Sequence, residues 1–198
     1  MSPSNFIIKR AFDLILACIG IILFTPLMLL CWIAASIDTR SNGLFVHKRI
    51  GRHGAIIHVY KIRTMHSRGV VLSSIASENM ARISKTGAFF RRYKLDELPQ
   101  LFNVLWGSMS FVGPRPDVPN YADRLEGEDR IILRMRPGIT GPASIKYKNE
   151  EAILLAADDP VKLNDTVIWP DKVSINKRYY QNYSFSADIR YILQTLIK

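Results

Sequence analysis

Apolar residues recur along this chain in three rhythms, and each predicts a different element. The first is an unbroken run over residues 11–36, in which Asp13 is the sole charge and residues 14–35 carry none. About 20 apolar residues cross a bilayer core as a helix, so the run predicts a membrane-embedded helix. It is too long for the core of a secretory signal, and no small-residue cleavage site follows it. Thr25-Pro26 lies near its middle. A proline there removes one backbone hydrogen bond and crowds the preceding turn, so a kink or break is expected at Pro26. Lys9 and Arg10 precede the run, and Arg40, Lys48 and Arg49 follow it. Cations at both ends give a straight span no preferred orientation, whereas a bent, re-entrant helix that enters and leaves on one cytoplasmic face satisfies both. These residues are compatible with either form.

The second rhythm has a period of two. Residues 44–49 and 56–61 are short β-rich runs flanking Gly51-Arg52-His53-Gly54, which predicts a hairpin. His53 falls in the turn, and His47 and His58 are expected on solvent-facing strand positions. Lys61 and Arg63 alternate at the end of the second strand.

The third rhythm is helical. Leu98, Leu101, Phe102 and Leu105 recur at i, i+3, i+4 and i+7 and predict one buried stripe. Pro99 is tolerated only in the first turn of such a helix, and Gly107 is a natural stop. That places Asp96 and Glu97 at or just inside the helix N-terminus. Further helices are expected over 86–93 with Thr86 as cap, 119–133, 149–157 and 175–183. A last helix is capped by Ser186, with Ile189, Ile192, Leu193, Leu196 and Ile197 on one face. Residues 67–86 read as a loop, and Asp158-Asp159-Pro160 as a turn. The whole is an α+β chain. Residues 1–38 form a membrane segment broken at Pro26, and 39–198 a mostly helical domain with one small hairpin.

Charge narrows the partners. Lys and Arg number 27 against 17 Asp and Glu, a net +10, which favours phosphorylated ligands, an acidic lipid surface or nucleic acid. The basic residues form no continuous tract interleaved with aromatics, so nucleic acid is not expected. Cys18 and Cys31 would stand about 20 Å apart along one helix, beyond disulfide reach. No Gly-Lys-Ser/Thr follows a glycine-rich turn, which excludes a P-loop NTPase.

The candidate chemistry lies at Asp96-Glu97, with Arg91, Arg92 and Lys94 just upstream. Taken alone, such a pair is a helix cap and a first-turn acid. Downstream, Pro114-Arg115-Pro116 mounts a guanidinium on stiff backbone, suited to bidentate recognition of phosphate or carboxylate. Arg136-Pro137-Gly138 adds another cation. Two adjacent acids cannot easily straddle a sugar about 5–9 Å apart, so a glycosidase is disfavoured.

Several stretches then occur in a specific order: Lys9-Arg10 before a proline-broken apolar helix, Phe45-Val46-His47-Lys48-Arg49-Ile50-Gly51, Tyr60-Lys61-Ile62-Arg63-Thr64-Met65, Leu95-Asp96-Glu97-Leu98-Pro99-Gln100-Leu101, Met109-Ser110-Phe111-Val112-Gly113-Pro114-Arg115-Pro116 and Arg136-Pro137-Gly138-Ile139-Thr140-Gly141. In this the chain resembles the bacterial sugar transferases, the small monotopic phosphoglycosyl transferases, over almost its whole length. The resemblance implies transfer of a phosphosugar from a UDP-sugar to undecaprenyl or another polyprenyl phosphate, with release of UMP. That reaction initiates capsule, O-antigen, exopolysaccharide or glycoprotein glycan synthesis. It also implies a re-entrant helix in the cytoplasmic leaflet of the bacterial inner membrane.

By the family's dyad, Asp96 is the expected nucleophile. Glu97 either helps hold magnesium or orients Asp96, and Mg2+ is the expected cofactor at Asp96 and Glu97. Lys61, Arg91, Arg115 and Arg136 are candidate phosphate or uridine-diphosphate contacts. Downstream glycosyltransferases and a second copy of the chain are compatible partners. Thr25-Pro26 stands where many members have Ser-Pro. Pro142-Ala143-Ser144-Ile145 departs from the commoner Trp/Leu-Ala-Gln-Val, which leaves the sugar open. Two other readings stay open: a membrane-tethered basic adaptor without chemistry, and a glycosyltransferase that releases UDP.

Overall fold

The computed structural model describes residues 1–66 and 82–197; most of the loop expected over 67–86 lies outside them. The apolar run is one element, α1 (Pro3–Thr39), with Pro3 in its first turn and Ser2 accepting the Asn5 N–H as cap. Helix continues through Pro26 rather than ending there. The Thr25 hydroxyl donates to the Ile21 carbonyl at 2.6 Å, so a back-bonded hydroxyl and a missing N–H coincide on one turn, and both favour bending.

Most of α1 is uncovered: Ile15, Ile19, Ile22, Leu23 and Leu30 are all exposed. One narrow face is not. Ala17 and Ala35 are fully buried, and a β-carbon on Gly20 would come within 3.1 Å of the Leu101 side chain. Small residues on that face let the rest of the chain approach the helix closely.

The hairpin forms as the alternation predicts. β1 (Leu44–Ile50) pairs antiparallel with β2 (Ile56–Ile62), from Leu44 opposite Ile62 to Ile50 opposite Ile56. His53 (φ 61°) and Gly54 (φ 82°) take the left-handed conformations of the turn. His58 faces solvent, but His47 is half-buried, with Nδ1 3.1 Å from Arg49 Nη2. That corrects its solvent-facing assignment: the neighbouring guanidinium covers it.

Next come α2 (Lys85–Arg92), a 3₁₀ turn at Leu95–Glu97, and α3 (Gln100–Trp106). Ser84, not Thr86, caps α2, by accepting the Gly87 N–H; the Thr86 hydroxyl is committed to Asp38 Oδ2 at 2.6 Å. Gly107 ends α3 at φ 85°, as expected. The buried side of α3 is Gln100, Leu101, Asn103 and Val104, so Leu98, Phe102 and Leu105 are only half-buried.

β3 (Ser110–Val112) and β4 (Gly138–Thr140) pair in parallel. The helix expected over 119–133 is instead two 3₁₀ stretches, Ala122–Arg124 and Gly127–Arg134. Left-handed residues at Asn120 (φ 78°) and Gly127 (φ 54°) redirect the chain and prevent one continuous helix. Then follow α4 (Pro142–Lys146), α5 (Glu150–Leu155), α6 (Pro160–Leu163), α7 (Trp169–Gln181) and α8 (Phe185–Leu196). Asp159 caps α6, and Ser184 rather than Ser186 caps α8. The stripe expected on α8 is not wholly buried: Leu193, Leu196 and Ile197 are exposed.

Two hydrophobic clusters draw α1 into the body. Ala17 packs with Val59, Val104 and Met109, and Cys31 and Ala35 pack with Ile62 and Phe90. A buried charge adds a third tie. Lys9 Nζ meets Asp188 Oδ2 at 2.6 Å, while Tyr179 and Tyr183 donate their hydroxyls to the same carboxylate. The first turns of α1 and the start of α8 are thus joined across nearly the whole sequence.

Candidate active site

Asp96 and Glu97 sit on the turn between α2 and α3. Lys94 (φ 58°) reverses the chain in the left-handed region, a conformation that costs a non-glycine residue about 1–2 kcal/mol. Helix α3 begins only at Gln100, so the acids precede it instead of lying in its first turn. Their electrostatics therefore come from side chains.

Glu97 is held from two sides. Its Oε1 accepts from Lys61 Nζ and from Arg115 Nη2, both at 2.9 Å. Burial alone would raise the Glu97 pKa, but Arg115 and Lys61 outweigh it and hold the carboxyl well below the usual range. Glu97 in turn keeps Arg115 firmly charged. At Lys61 the balance falls the other way, and burial lowers its pKa despite the attraction of Glu97.

Asp96 differs in kind. It is 7% exposed, and its Oδ1 is buried without a hydrogen-bond partner. Burial pushes its pKa up, Lys61 opposes that, Glu97 adds to it, and Lys94 and Arg91 pull it down. Asp96 and Glu97 therefore face Lys61, Lys94, Arg91 and Arg115. Of these, Arg91 is also paired with Glu151 of α5, which brings that short helix alongside the acids.

The stiff mount of Arg115 is set by close backbone packing. Gly113 lies where β3 meets β4, and a β-carbon there would come 2.4 Å from the Arg136 carbonyl oxygen. Gly138 and Gly141 would likewise strike the Gly113 backbone. Only glycines allow that crossing, and Pro114-Arg115-Pro116 leaves from it.

Arg136 is not brought to the acids. Its Nε donates to the Gly107 carbonyl at 2.7 Å, at the far end of α3, about 10 Å of helix from Gln100. Exposed backbone carbonyls at a helix C-terminus attract a guanidinium. The Arg136-Pro137-Gly138 turn that singled it out in the sequence carries no record of this contact.

Three contributors escape a reading of pattern alone. Asn103, on the apolar face of α3, accepts the Tyr60 N–H at 3.0 Å and donates to the His58 carbonyl at 2.7 Å. It braces β2 one residue before Lys61. A polar side chain inside an apolar stripe was its only signal. Arg49 is pushed down to about 10 by burial and by Arg115. Asp117 is pushed up to about 6 by burial, against the pull of Lys172 and Arg49. Among the described residues no group of three or more His, Cys, Asp or Glu stands together as a ready metal cage.

A buried carboxylate oxygen without a hydrogen-bond partner thus lies beside a clamped glutamate and several cations, on a body packed against one long apolar helix. The one described helix long and apolar enough to cross a membrane is α1. The sequence profile described as bacterial sugar transferase matches residues 4–198, and the chain belongs to that family. The UDP-glucose:undecaprenyl-phosphate glucose-1-phosphate transferase of Escherichia coli is 34% identical, over 100% of this chain and 41% of the relative. The undecaprenyl-phosphate galactose phosphotransferase of Salmonella typhimurium is 31% identical, over 97% and 40%. The exopolysaccharide production protein ExoY of Rhizobium meliloti is 30% identical, over 98% and 86%. The chain thus spans about two fifths of the first two relatives and most of the third.

Proposed function

We propose that this protein moves a sugar phosphate from a UDP-sugar to undecaprenyl or another polyprenyl phosphate, releasing UMP. The activities named for these relatives support the substrate classes. The observation that carries the mechanism is Asp96: a buried carboxylate with one oxygen unpartnered, beside a Glu97 clamped by Lys61 and Arg115.

In this reading an Asp96 oxygen attacks the phosphorus that bears the sugar. The bond from that phosphorus to the UMP oxygen breaks, UMP leaves, and the phosphosugar is held as an acyl phosphate. An oxygen of polyprenyl phosphate then attacks the same phosphorus. The bond to Asp96 breaks, the carboxylate is restored, and the polyprenyl diphosphosugar departs. The covalent step divides one displacement into two and makes the kinetics ping-pong.

The approach is electrostatically difficult. Two unit charges at 4 Å repel by about 4 kcal/mol at an effective dielectric of 20. Arg115, Lys61, Arg91 and Lys94 offset that repulsion where the diphosphate would lie. Glu97 holds Lys61 and Arg115 in place beside the nucleophile. The donor set also fits magnesium, which binds through one or two carboxylates and completes its shell with water and substrate phosphates. Asp96 Oδ1 and Glu97 would hold it, and when bound it supplies charge neutralisation at the diphosphate.

Helix α1 would lie in the cytoplasmic leaflet, bent at Thr25-Pro26, with Lys9 and Arg10 at one end and Arg40 at the other on the same side. The test is a panel of UDP-sugars with and without polyprenyl phosphate, following the nucleotide released. UMP release that requires magnesium supports the reading. UDP release would identify a glycosyltransferase, and no release with any sugar would leave a non-catalytic adaptor.

A further inference from the structure

Arg10, Arg52 and Arg136 come from three separate parts of the chain and converge away from Asp96. Arg10 donates from Nη1 to the Val104 carbonyl at 2.6 Å and from Nη2 to the Leu105 carbonyl at 2.9 Å. Arg136 Nε donates to the Gly107 carbonyl, two residues further on. A β-carbon on Gly107 would come 3.3 Å from Arg10 Nη2, so both guanidiniums press on the same residue. Arg52 donates its Nε to the Arg134 carbonyl at 2.8 Å and lies over the Phe6 ring, 5.1 Å from its centroid. Phe6 and Arg10 are one helical turn apart on α1, so they share a face.

This grouping is poorly neutralised. None of the three guanidiniums takes part in an ion pair among the described residues. Burial lowers the Arg136 pKa, and Arg10 and Arg52 lower it further; among the described residues Asp13 opposes them. Asp13 already spends Oδ1 on the Phe111 N–H at 3.0 Å, and Lys9 nearby is matched by Asp188. Among the described residues, backbone carbonyls occupy only the Nε of Arg52 and of Arg136, so the paired Nη groups of both remain to bind an oxyanion bidentately.

We propose that Arg10, Arg52 and Arg136 form a second anion site, separate from the Asp96 centre, which takes the phosphate of an acidic lipid headgroup. Its place points to that source. Phe6 and Arg10 occupy the first turns of α1, and the apolar run begins at Ala11, so the guanidiniums stand where the helix passes from polar to apolar surroundings. Cations at that depth meet headgroup phosphates. The proposal rests on α1 being membrane-embedded and is independent of the reaction at Asp96.

The test uses the full chain in detergent, with affinities measured by native mass spectrometry for phosphatidylglycerol and phosphatidylcholine, and thermal unfolding followed with inorganic phosphate. The wild type is expected to prefer phosphatidylglycerol, and Arg52→Gln with Arg136→Gln is expected to lower that preference about tenfold. A thermal shift with inorganic phosphate as large as with phosphatidylglycerol, lost in the same double variant, keeps the anion site but assigns it free phosphate. Equal affinity for the two lipids together with no phosphate shift, or a double variant indistinguishable from wild type, overturns the site. Arg52→Gln alone, which gives up one backbone hydrogen bond near the surface, keeps the test decisive if the double variant does not fold. Carbonate extraction of the wild type from membranes would overturn the anchor on which the site depends, while leaving the UMP-release test of the reaction untouched.

Discussion

The side chain of Asn103 takes the Tyr60 N–H at 3.0 Å, and this bond joins the helix after the acids to the strand that carries Lys61. Asn103 is 1% exposed and also bonds the His58 carbonyl and the Ser108 hydroxyl. Asn103→Ala would leave a partly buried backbone donor and a partly buried backbone acceptor without their partner. The expected loss is about 2–4 kcal/mol of stability, read by chemical unfolding. UMP release is expected to fall about tenfold or more under conditions where the variant is folded, because Lys61 is no longer held against Glu97.

Asp96→Asn keeps the shape of the site and removes the nucleophile. UMP release is expected to drop by at least about 10³-fold, with the unfolding temperature unchanged or raised, since burial opposes the Asp96 charge more than Lys61, Lys94 and Arg91 favour it. Labelled phosphosugar should remain on the wild-type protein when polyprenyl phosphate is withheld, and should be absent from the variant. Near-normal turnover by Asp96→Asn would exclude it as nucleophile.

Without magnesium, the acid limb of the Asp96 titration, followed by carboxylate NMR, should lie above the ordinary carboxylate range. Burial raises the Asp96 pKa, and the ionised form is the one that attacks. Lys61 is the largest influence holding it down, so Lys61→Met should move the limb to still higher pH. A limb that moved down would contradict this arrangement.

Asp117 gives a stability effect of definite sign. Burial raises its pKa from an ordinary value of 3.8 to about 6. Between those values the folded chain binds the proton and the unfolded chain releases it, so stability falls as pH rises and then levels off above about pH 6. Relative to Asp117→Asn, the wild type should lose up to about 3 kcal/mol across that interval. Thermal unfolding of both proteins from about pH 4 to pH 7 checks it.

Two glycines separate steric from conformational cost. At Gly113 a β-carbon would lie 2.4 Å from the Arg136 carbonyl oxygen, so Gly113→Ala must part β3 from β4 and move the mount of Arg115. The expected loss is about 2–3 kcal/mol or more, together with activity. At Gly127 (φ 54°) no atom lies within 4 Å, so Gly127→Ala should cost only the left-handed backbone penalty, about 1 kcal/mol. Comparing their unfolding midpoints tests the order.

The sequence by itself determined the local elements: the long apolar helix with its proline, the hairpin and its turn, the stop at Gly107 and the pairing of two acids with nearby cations. Those features follow from hydrophobic period, turn chemistry and caps, which act between residues a few positions apart. It also presented Arg115 on stiff backbone and, through ordered motifs, the family. Only the tertiary structure decided that Lys61 and Arg115 share one oxygen of Glu97, that Arg136 serves the other end of α3, and that Lys9 meets Asp188. Ser84 and Ser184 displaced Thr86 and Ser186 as caps, because the Thr86 hydroxyl is taken by Asp38 across the fold and Ser186 lies inside α8, which starts at Phe185. The shared reason is chain crossing: ion pairs and buried hydrogen bonds between distant segments form only after burial has removed water from both partners, and periodicity along the chain does not record which distant segments meet.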